Sequence, residues 1–538
     1  MSLDELLTLI MVAKLSIFGS IVETWGSFSP LEKRNMAIYM AGIMLYKFGL
    51  EAFNGSIVAL ATNRYDYEAL RNKSPARTFE RVGFLTGLNQ AFQCVGSILI
   101  APLIKRFQTK NVLSASMFVF GILSAILLII DAATGGTFVP ASFRKKHPKN
   151  DFHYYGNYNT DGMIPIYSIT GIAYGMVELI RRVIPCDIVG GNVHKLRRMD
   201  ALIHIFYEIS GTVGAFCTAL ALIPRFGNNF AFLVTPIFFL LASIIWFFIA
   251  VPGFYSTKPD VLEEEPTYVR SALGGFWLFS ESVWTGAKIL FTKRKFIWLL
   301  PGYAIALYGH RYLENGLAPA VARRYLGNSA WSQIMVGGSN FGELLGALSV
   351  FLFTNSIETP IPWLRLDSLM LLIVWYLPFW RPPQLDVRQA WIVAATFIPI
   401  SFGWAAGDVS LAAYIQASLA RTEAQSRNVS ALGAVMAFLY SIYIVTYAIT
   451  SPLLGQYIDN VFEATGGVDG GGNIYQAIQN VGGVQFTIIF VLVMTATFIP
   501  SGALALNPKM LFNQKLDTEL EEEENSVELK YVQMQAKT

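Results

Sequence analysis

Charge is scarce in this 538-residue chain: Asp, Glu, Lys and Arg together make up 14% of it, against about 25% in ordinary soluble domains. A water-soluble protein of this length needs far more polar surface to cover its cores, so a soluble enzyme is excluded. Disorder is excluded as well, because it requires low hydrophobicity and here hydrophobic residues reach 54%, with a mean hydropathy of +0.45. The net charge of +3 is too close to neutral for a nucleic-acid partner. Cysteine is nearly absent. Cys94, Cys186 and Cys217 sit in or beside apolar segments and cannot build a disulfide framework, so they read as small buried hydrophobes. Five histidines, without paired His or Cys spacing, point to no metal site. The chain has no Gly-x-x-x-x-Gly-Lys-Ser/Thr loop, no His-Glu-x-x-His and no Gly-x-Ser-x-Gly. No cofactor is expected, and no enzyme activity.

Apolar length is what the sequence does have. A bilayer-crossing helix needs about 20 mostly apolar residues. Twelve such windows lie near 34–62, 79–104, 111–132, 163–185, 200–223, 228–251, 296–322, 330–354, 363–380, 389–417, 428–453 and 483–506. The N-terminus, MSLDELL, opens acidic and is not a signal peptide. Residues 4–27, interrupted by Lys14 and Glu23, read as an interfacial helix, with a thirteenth span as the rival reading. Lys and Arg are in modest excess in the loops that would be inside if both termini are cytosolic. The sequon Asn72-Lys73-Ser74 then falls outside, where a glycan could be added.

The longest inner connection splits the spans six and six. It begins acidic (STKPDVLEEEPT) and continues as GGFWLFSESVWTGAKILF, an amphipathic stretch suited to the membrane surface. Short matches suggest that the halves are repeats. Asn54-Gly55 of span 1 corresponds to Asn315-Gly316 of span 7, Gly87 and Gly96 of span 2 to Gly337 and Gly346 of span 8, and Glu178 of span 4 to Asp408 of span 10.

An ionisable group at membrane depth costs several kcal/mol and so faces a protein interior or a wet cavity. Span 1 carries Lys47 and Glu51, span 4 Glu178, span 5 His204 and Glu208, span 7 His310, Arg311 and Glu314, span 8 Glu343 and span 10 Asp408. The middles of spans 3, 6, 9 and 12 read as uncharged apolar rods. The first span of each triplet is therefore expected to face a central aqueous path, and the third to face lipid.

With this pattern, residues 34–506 resemble the major facilitator superfamily in architecture. In that family spans 1, 4, 7 and 10 line the central cavity. After span 2 the family usually has Gly-x-Leu-Ala-Asp-Arg-x-Gly-Arg-Arg. Here APLIKRFQTKNVL stands at 101–113, where Leu103, Arg106, Phe107 and Lys110 fit. Ala101, Lys105 and Gln108 replace the first glycine, the aspartate and the second glycine, which puts the aspartate's usual contact with the other half in doubt. Span 5 reads EISGTVGAF and lacks the glycine-proline pattern of the family's drug antiporters. The stretch RNVSALGAVMAFLYSIYIVTYAITSPLLGQYID resembles poorly characterised fungal members.

Each charged site has two readings. Lys47 and Glu51 share a helical face and form either an internal ion pair or a cavity pair, in which Lys47 holds an anionic group and Glu51 takes a proton. Arg311 is suited to capturing carboxylate or phosphate, or pairs with Glu314 or Glu51. His310 is a hydrogen-bonded core residue or a proton carrier. Glu178 could pair with Arg182, four residues on. Glu208 with His204 is a proton relay or a latch. Gly403 and Gly407, beside Asp408, form a face for close helix packing. The expected substrate contacts are Lys47, Arg311, Tyr46, Asn54, Tyr174, Tyr308, Asn315 and Trp404. The expected proton-coupling groups are Glu51, Glu178, Glu208, His310, Glu314, Glu343 and Asp408. The basic cluster HKLRR at 194–198 would fix topology at the inner leaflet.

The fold expected is therefore an all-α membrane protein with twelve transmembrane helices in two pseudo-symmetric six-helix bundles. Its parts are an interfacial segment (1–33), a first bundle (34–252), a cytosolic linker with an amphipathic helix (253–295), a second bundle (296–506) and an acidic cytosolic tail (507–538). The expected activity is secondary transport of a small polar or anionic solute by alternating access, as proton-coupled symport. The expected partners are the substrate, protons and the lipid bilayer, for a monomer in the plasma, vacuolar or endosomal membrane. The alternatives are a uniporter or exporter of the same fold, and a transporter-like receptor or scaffold.

Overall fold

The first long helix opens on a capping box. The Ser29 hydroxyl accepts from the Glu32 backbone N–H at 3.2 Å, and the Glu32 carboxylate accepts from the Ser29 N–H at 2.6 Å, with Pro30 pre-set at the first helical position. The computed structural model describes residues 26, 28–140, 154–189, 193–250, 268–353, 356–357, 359–420, 431–467, 470–500, 502–506 and 508. The expectations for residues 4–27, for the acidic start of the linker, and for the tail beyond 508 lie outside this set, as do the side chains of the basic cluster at 194–198 other than Lys195.

Six long helices frame the first half among the described residues: α1 (Pro30–Asn72), α2 (Thr78–Arg106), α3 (Thr109–Ala133), α4 (Met163–Val189), α5 (Val193–Cys217) and α6 (Val234–Phe247). The linker supplies α7 (Tyr268–Thr292). A broken rod, 294–325, follows, then α8 (Ser332–Phe353), α9 (Ile361–Leu371), α10 (Val387–Ala420), α11 (Ala431–Ala464) and α12 (Gln485–Ala496). No strand occurs among the described residues.

Nine helices among the described residues are long and apolar enough to cross a membrane. The other three windows take different forms. Window 228–251 forms the shorter apolar helix Ala231–Phe247. Window 296–322 becomes the rod, where α turns alternate with π turns at Leu300–Ile305, Leu313–Leu317 and Val321–Tyr325. Pro301 and Pro319 lie in this rod; proline lacks an N–H and crowds the preceding turn, and widened turns keep the remaining backbone groups bonded. Window 363–380 gives α9, which tightens into a 3₁₀ stretch at Leu372–Tyr376 ahead of Pro378.

Buried apolar side chains fall mainly into two large clusters. One draws on residues from Phe28 to Ile249, the other mostly on residues from Leu290 to Ala503. The glycines expected to correspond behave alike. A Cβ on Gly96 would collide with the Ile172 carbonyl of α4, and one on Gly346 with the Phe402 carbonyl of α10, each within its own half. Gly87 lies against Ala448 of α11, and Gly337 against the Phe216 ring of α5, each across the halves. Gly403 and Gly407 seat α10 on Asp367 and Leu364 of α9, the close packing their spacing predicts.

The linker helix α7 bridges the two halves. The Tyr268 hydroxyl donates to the Leu99 carbonyl at 3.1 Å, and Arg106 donates to Ser271 at 3.3 Å, both contacts with the end of α2. Gly286 presses on the Ala434 carbonyl and Phe291 packs edge-on against Phe438, both at the start of α11. Leu290 is buried, whereas Trp277 is 77% and Trp284 64% exposed. This is the amphipathic division read from the sequence.

At the opposite face the halves are latched. Asp66, near the end of α1, accepts from Arg323 Nε at 2.5 Å, from both terminal nitrogens of Arg324 at 2.8 Å, and from the Thr78 hydroxyl at 2.6 Å. Asp459 of α11 accepts from the Phe79 and Glu80 N–H groups at 2.8 and 3.0 Å, so it caps α2 from the other half of the chain. Glu463 accepts from the Ala76 N–H at 2.8 Å, and the Arg324 guanidinium lies 3.8 Å over the Phe462 ring. Ser329 donates to Asn63 at 2.9 Å.

Several expectations need correction. α1 runs ten residues past the expected 62, so Arg64 is no loop cation; it is buried and donates to Gly156, Tyr158 and Thr160. Arg365, inside window 363–380, is buried in α9 and donates to Thr497 at 3.2 Å and to the carbonyls of Ala503 and Ala505. The middle of span 9 is uncharged, as expected, but Asp367 at its rim is buried as well.

Candidate functional site

α1 presents Lys47 and Glu51 on one face, one helical turn apart. The Lys47 ammonium lies 2.6 Å from Glu51 and 4.6 Å over the Tyr207 ring of α5. Gly211 of α5 leaves room for the Lys47 stem, and the Asn340 amide of α8 comes to the same spot from the other half. Lys47 and Glu51 are both buried. An ammonium and a carboxylate in contact offset much of each other's desolvation cost.

From the second half, the rod presents Arg311 and Glu314, 2.9 Å apart. Glu314 also accepts from the Ser339 hydroxyl of α8 at 2.6 Å, and Ser339 lies 2.7 Å from Ser401 of α10. Glu314 is buried, whereas the Arg311 side chain is 41% exposed. Arg311 is thus a cation with both a fixed partner and open guanidinium surface. Glu343 of α8 feels Glu208 and Lys47 of the first half together with Arg311 and Glu314 of the second, and Tyr174 of α4 is within the field of Arg311. Lys47, Glu51, Glu208, Arg311, Glu314, Glu343 and Tyr174 are thus linked through direct ion pairs and longer-range electrostatic interactions. Two cations face four carboxylates in this group.

Other expected residues sit elsewhere. Tyr46 is fully buried, donates to Glu178 at 2.8 Å, and packs on Phe239 and Trp246. Glu178 pairs with Arg181 at 2.6 Å, a three-residue step along the same face; the side chain of the expected partner, Arg182, lies outside the described set. The Asn54 side-chain oxygen accepts from Tyr167 at 2.8 Å, tying α1 to α4. The Asn315 amide turns back on the Arg311 carbonyl at 3.1 Å. Tyr308 accepts from Gln485 at 2.6 Å and meets Tyr447 edge-on. Trp404 is buried and stacks on His310, with ring centroids 5.0 Å apart. Asp408 is half-buried on α10.

Sequence reasoning missed Asp367, whose carboxylate lies 2.8 Å from His310 Nε2. The pair is buried, with the other Asp367 oxygen unpartnered. It also missed the latch: Asp66, Arg323, Arg324 and Asp459 all looked like charges at span ends. In the post-α2 motif, Arg106 reaches the linker helix, and Lys110 donates to the Ile249 carbonyl at the end of α6 at 2.9 Å.

No family model matches the chain, and no curated protein matches it. Among solved structures, it is similar to the D-xylose-proton symporter at 12% identity and a TM-score of 0.54, covering 84% of this chain and 96% of that one. It is also similar to the nucleoside transporter NupG at 12% identity and a TM-score of 0.49, covering 88% and 99%. The likeness to the symporter shows the fold: the chain folds as that transporter does. With its many apolar helices, the chain is an integral, multi-pass membrane protein.

Proposed function

We propose that this chain is a secondary active transporter that moves a small polar or anionic solute together with protons by alternating access. The shorter helix Ala231–Phe247, the rod 294–325 and α9 complete twelve crossings, in bundles 34–252 and 296–506, with both termini cytosolic. The linker face is then inner and the latch face outer. The chain acts as a monomer, and α7 rests its exposed tryptophans in the inner leaflet.

One observation carries this reading. An ion pair from each half, Lys47–Glu51 and Arg311–Glu314, lies within electrostatic range of Glu343, while a separate set of ion pairs joins the halves at the latch face. A site shared by two halves, with a latch at one mouth, is what alternating access requires. The matching glycine contacts of α2 and α8 support a repeat behind the two bundles.

In this mechanism Arg311 and Lys47 hold the polar or anionic end of the solute. Each cation already has a carboxylate partner, so protonating that carboxylate releases the cation for the solute, which links the two bindings. Glu51, Glu314, Glu343, Glu208 and Asp408 are the coupling carboxylates. Tyr174, beside Arg311, is the aromatic contact. The symporter of similar fold moves protons, as its name states, which favours the coupled reading here.

A thermal-shift screen on purified protein identifies the solute, because a true ligand stabilises the fold by mass action. Uptake into proteoliposomes under an imposed pH gradient then tests coupling in wild type, Glu51→Gln and Asp408→Asn. Loss of pH dependence in at least one variant is expected; pH-insensitive uptake in all three refutes coupling. The existing ion pairing of both cations favours a second reading, a uniporter with structural charges. Counterflow that persists without proton movement selects it.

A further inference from the structure

Buried polar groups almost always find a hydrogen-bond partner, and one left without costs about 1–3 kcal/mol. Along α5, His204 Nε2, a Glu208 carboxylate oxygen and the Thr212 hydroxyl are buried, with no partner among the described residues. They follow one another at four-residue spacing and so share one face. Across the seam, the Asn340 side-chain nitrogen of α8 is equally unpartnered. Glu208 is 2% and Asn340 4% exposed. Two helices from opposite halves thus meet along a column of donors and acceptors that do not bond to one another.

Four residues of helix rise by about 6 Å, and one water spans that gap with two hydrogen bonds of about 2.8 Å each. Polar cavities in proteins are filled by such waters. The column starts at His204, on the linker-face side of Glu208 within α5, and reaches the Lys47–Glu51 pair, because Gly211 abuts both the Lys47 stem and Asn340. Beyond Thr212 it ends at Phe216, whose ring packs on Gly337 and, 4.9 Å away, on Trp391. The charged groups around Glu208 are Lys47 and Glu51 from α1, Glu343 from α8, and the Glu178–Arg181 pair of α4 behind Tyr207.

We infer that the α5–α8 seam holds a chain of bound waters, from His204 past Glu208 to Thr212 and Asn340, through which protons move between the linker face and the central site. The inference rests on the proton-coupled reading and adds its route. A hydrogen-bonded water row transfers a proton by passing it from oxygen to oxygen, each water receiving one proton and releasing another, with Glu208 taking up the proton that arrives. His204 guards the entry as a positioning residue, and the Phe216 plug stops protons from crossing to the latch face.

Infrared spectroscopy of the full chain in lipid films tests the route. At low pH the carbonyl band of Glu208 is identified by its loss in Glu208→Gln, and the film is then switched from H2O to D2O. Wild type is expected to exchange this band as fast as exposed carboxyls do. His204→Leu is expected to slow exchange about tenfold, the effect of about 1.4 kcal/mol in barrier, and His204→Gln, which keeps hydrogen-bonding capacity, to restore it. Should His204→Leu fail to fold, Asn340→Leu is read in its place with the same expectation. A wild-type band that does not exchange, or equally fast exchange in the leucine variant, overturns the water chain. Proton-driven uptake on the same samples separates the two claims. Its absence from wild type refutes the transporter reading, whereas fast exchange in the leucine variant with intact coupled uptake refutes only the route.

Discussion

Asp66 is the residue on which the latch converges, and neutralising it should unfasten one face of the molecule. It is fully buried and takes four hydrogen bonds: one from Arg323, two from Arg324 and one from Thr78. Asp66→Asn keeps the size but removes the charge and turns one acceptor toward the guanidinium groups as a donor. Removing one partner of a buried ion pair costs about 3–5 kcal/mol. In an open state both arginines are hydrated, so most of this cost falls on the latched state. A shift of about 3 kcal/mol changes the ratio of latched to open molecules by about a hundredfold or more. Pulsed electron paramagnetic resonance reads the change directly. Spin labels at Arg71→Cys and Ala464→Cys sit on exposed positions at the ends of α1 and α11, in opposite halves. Asp66→Asn should transfer most of the distance distribution to a longer peak in folded protein. An unchanged distribution would refute the latch as a conformational control.

The central pair and its surroundings give further tests. Lys47→Ala leaves Glu51 buried without its cation and should destabilise the protein by about 3–5 kcal/mol, read as a lower melting temperature; Lys47→Met with Glu51→Gln should recover most of the stability but not transport. Tyr46→Phe removes one hydrogen bond to Glu178 and should cost about 1 kcal/mol with solute affinity unchanged, since the ring is sealed from the cavity; a large affinity loss would return Tyr46 to the binding site. Gly455→Ala places a methyl group against the Phe79 carbonyl, and overpacking of about 1–3 kcal/mol should lengthen the same label distance that Asp66→Asn lengthens. Arg365→Ala removes the donors that hold residues 503–505 and should speed limited proteolysis near the C-terminal end of α12 while leaving the label distance unaltered.

Local patterns in the sequence carried well into the structure. Lys47 and Glu51 are neighbours because helical spacing makes them so, and the glycine faces of α2, α8 and α10 lie against other helices because a missing side chain invites close packing. The amphipathic division of α7 was readable for the same reason. Contacts between distant segments were not readable. Asp66 meets Arg323 and Arg324 across 257 and 258 positions, and Asp459 caps α2 across 380, so each looked like an ordinary charge at a span end. Asp367 sits on the rim of an apolar window and drew no notice until α9 buried it against His310. Tyr46, Tyr308 and Trp404 stand beside buried charges in the sequence and Asn54 in the repeat match, which does not name their neighbours, and their polar groups or rings bind other helices. Orphaned groups such as His204 and Thr212 can be recognised only once the packing around them is known.

The central claim is that solute and proton cross together through a site shared by the two halves. The most direct measurement is proton flux into proteoliposomes loaded with a pH-sensitive dye, recorded when the solute that best stabilises the protein is added outside. Solute-dependent acidification of the lumen, abolished in Glu208→Gln while solute still binds, is the predicted result. Solute uptake with no change in dye signal, equal in wild type and Glu208→Gln, would contradict it.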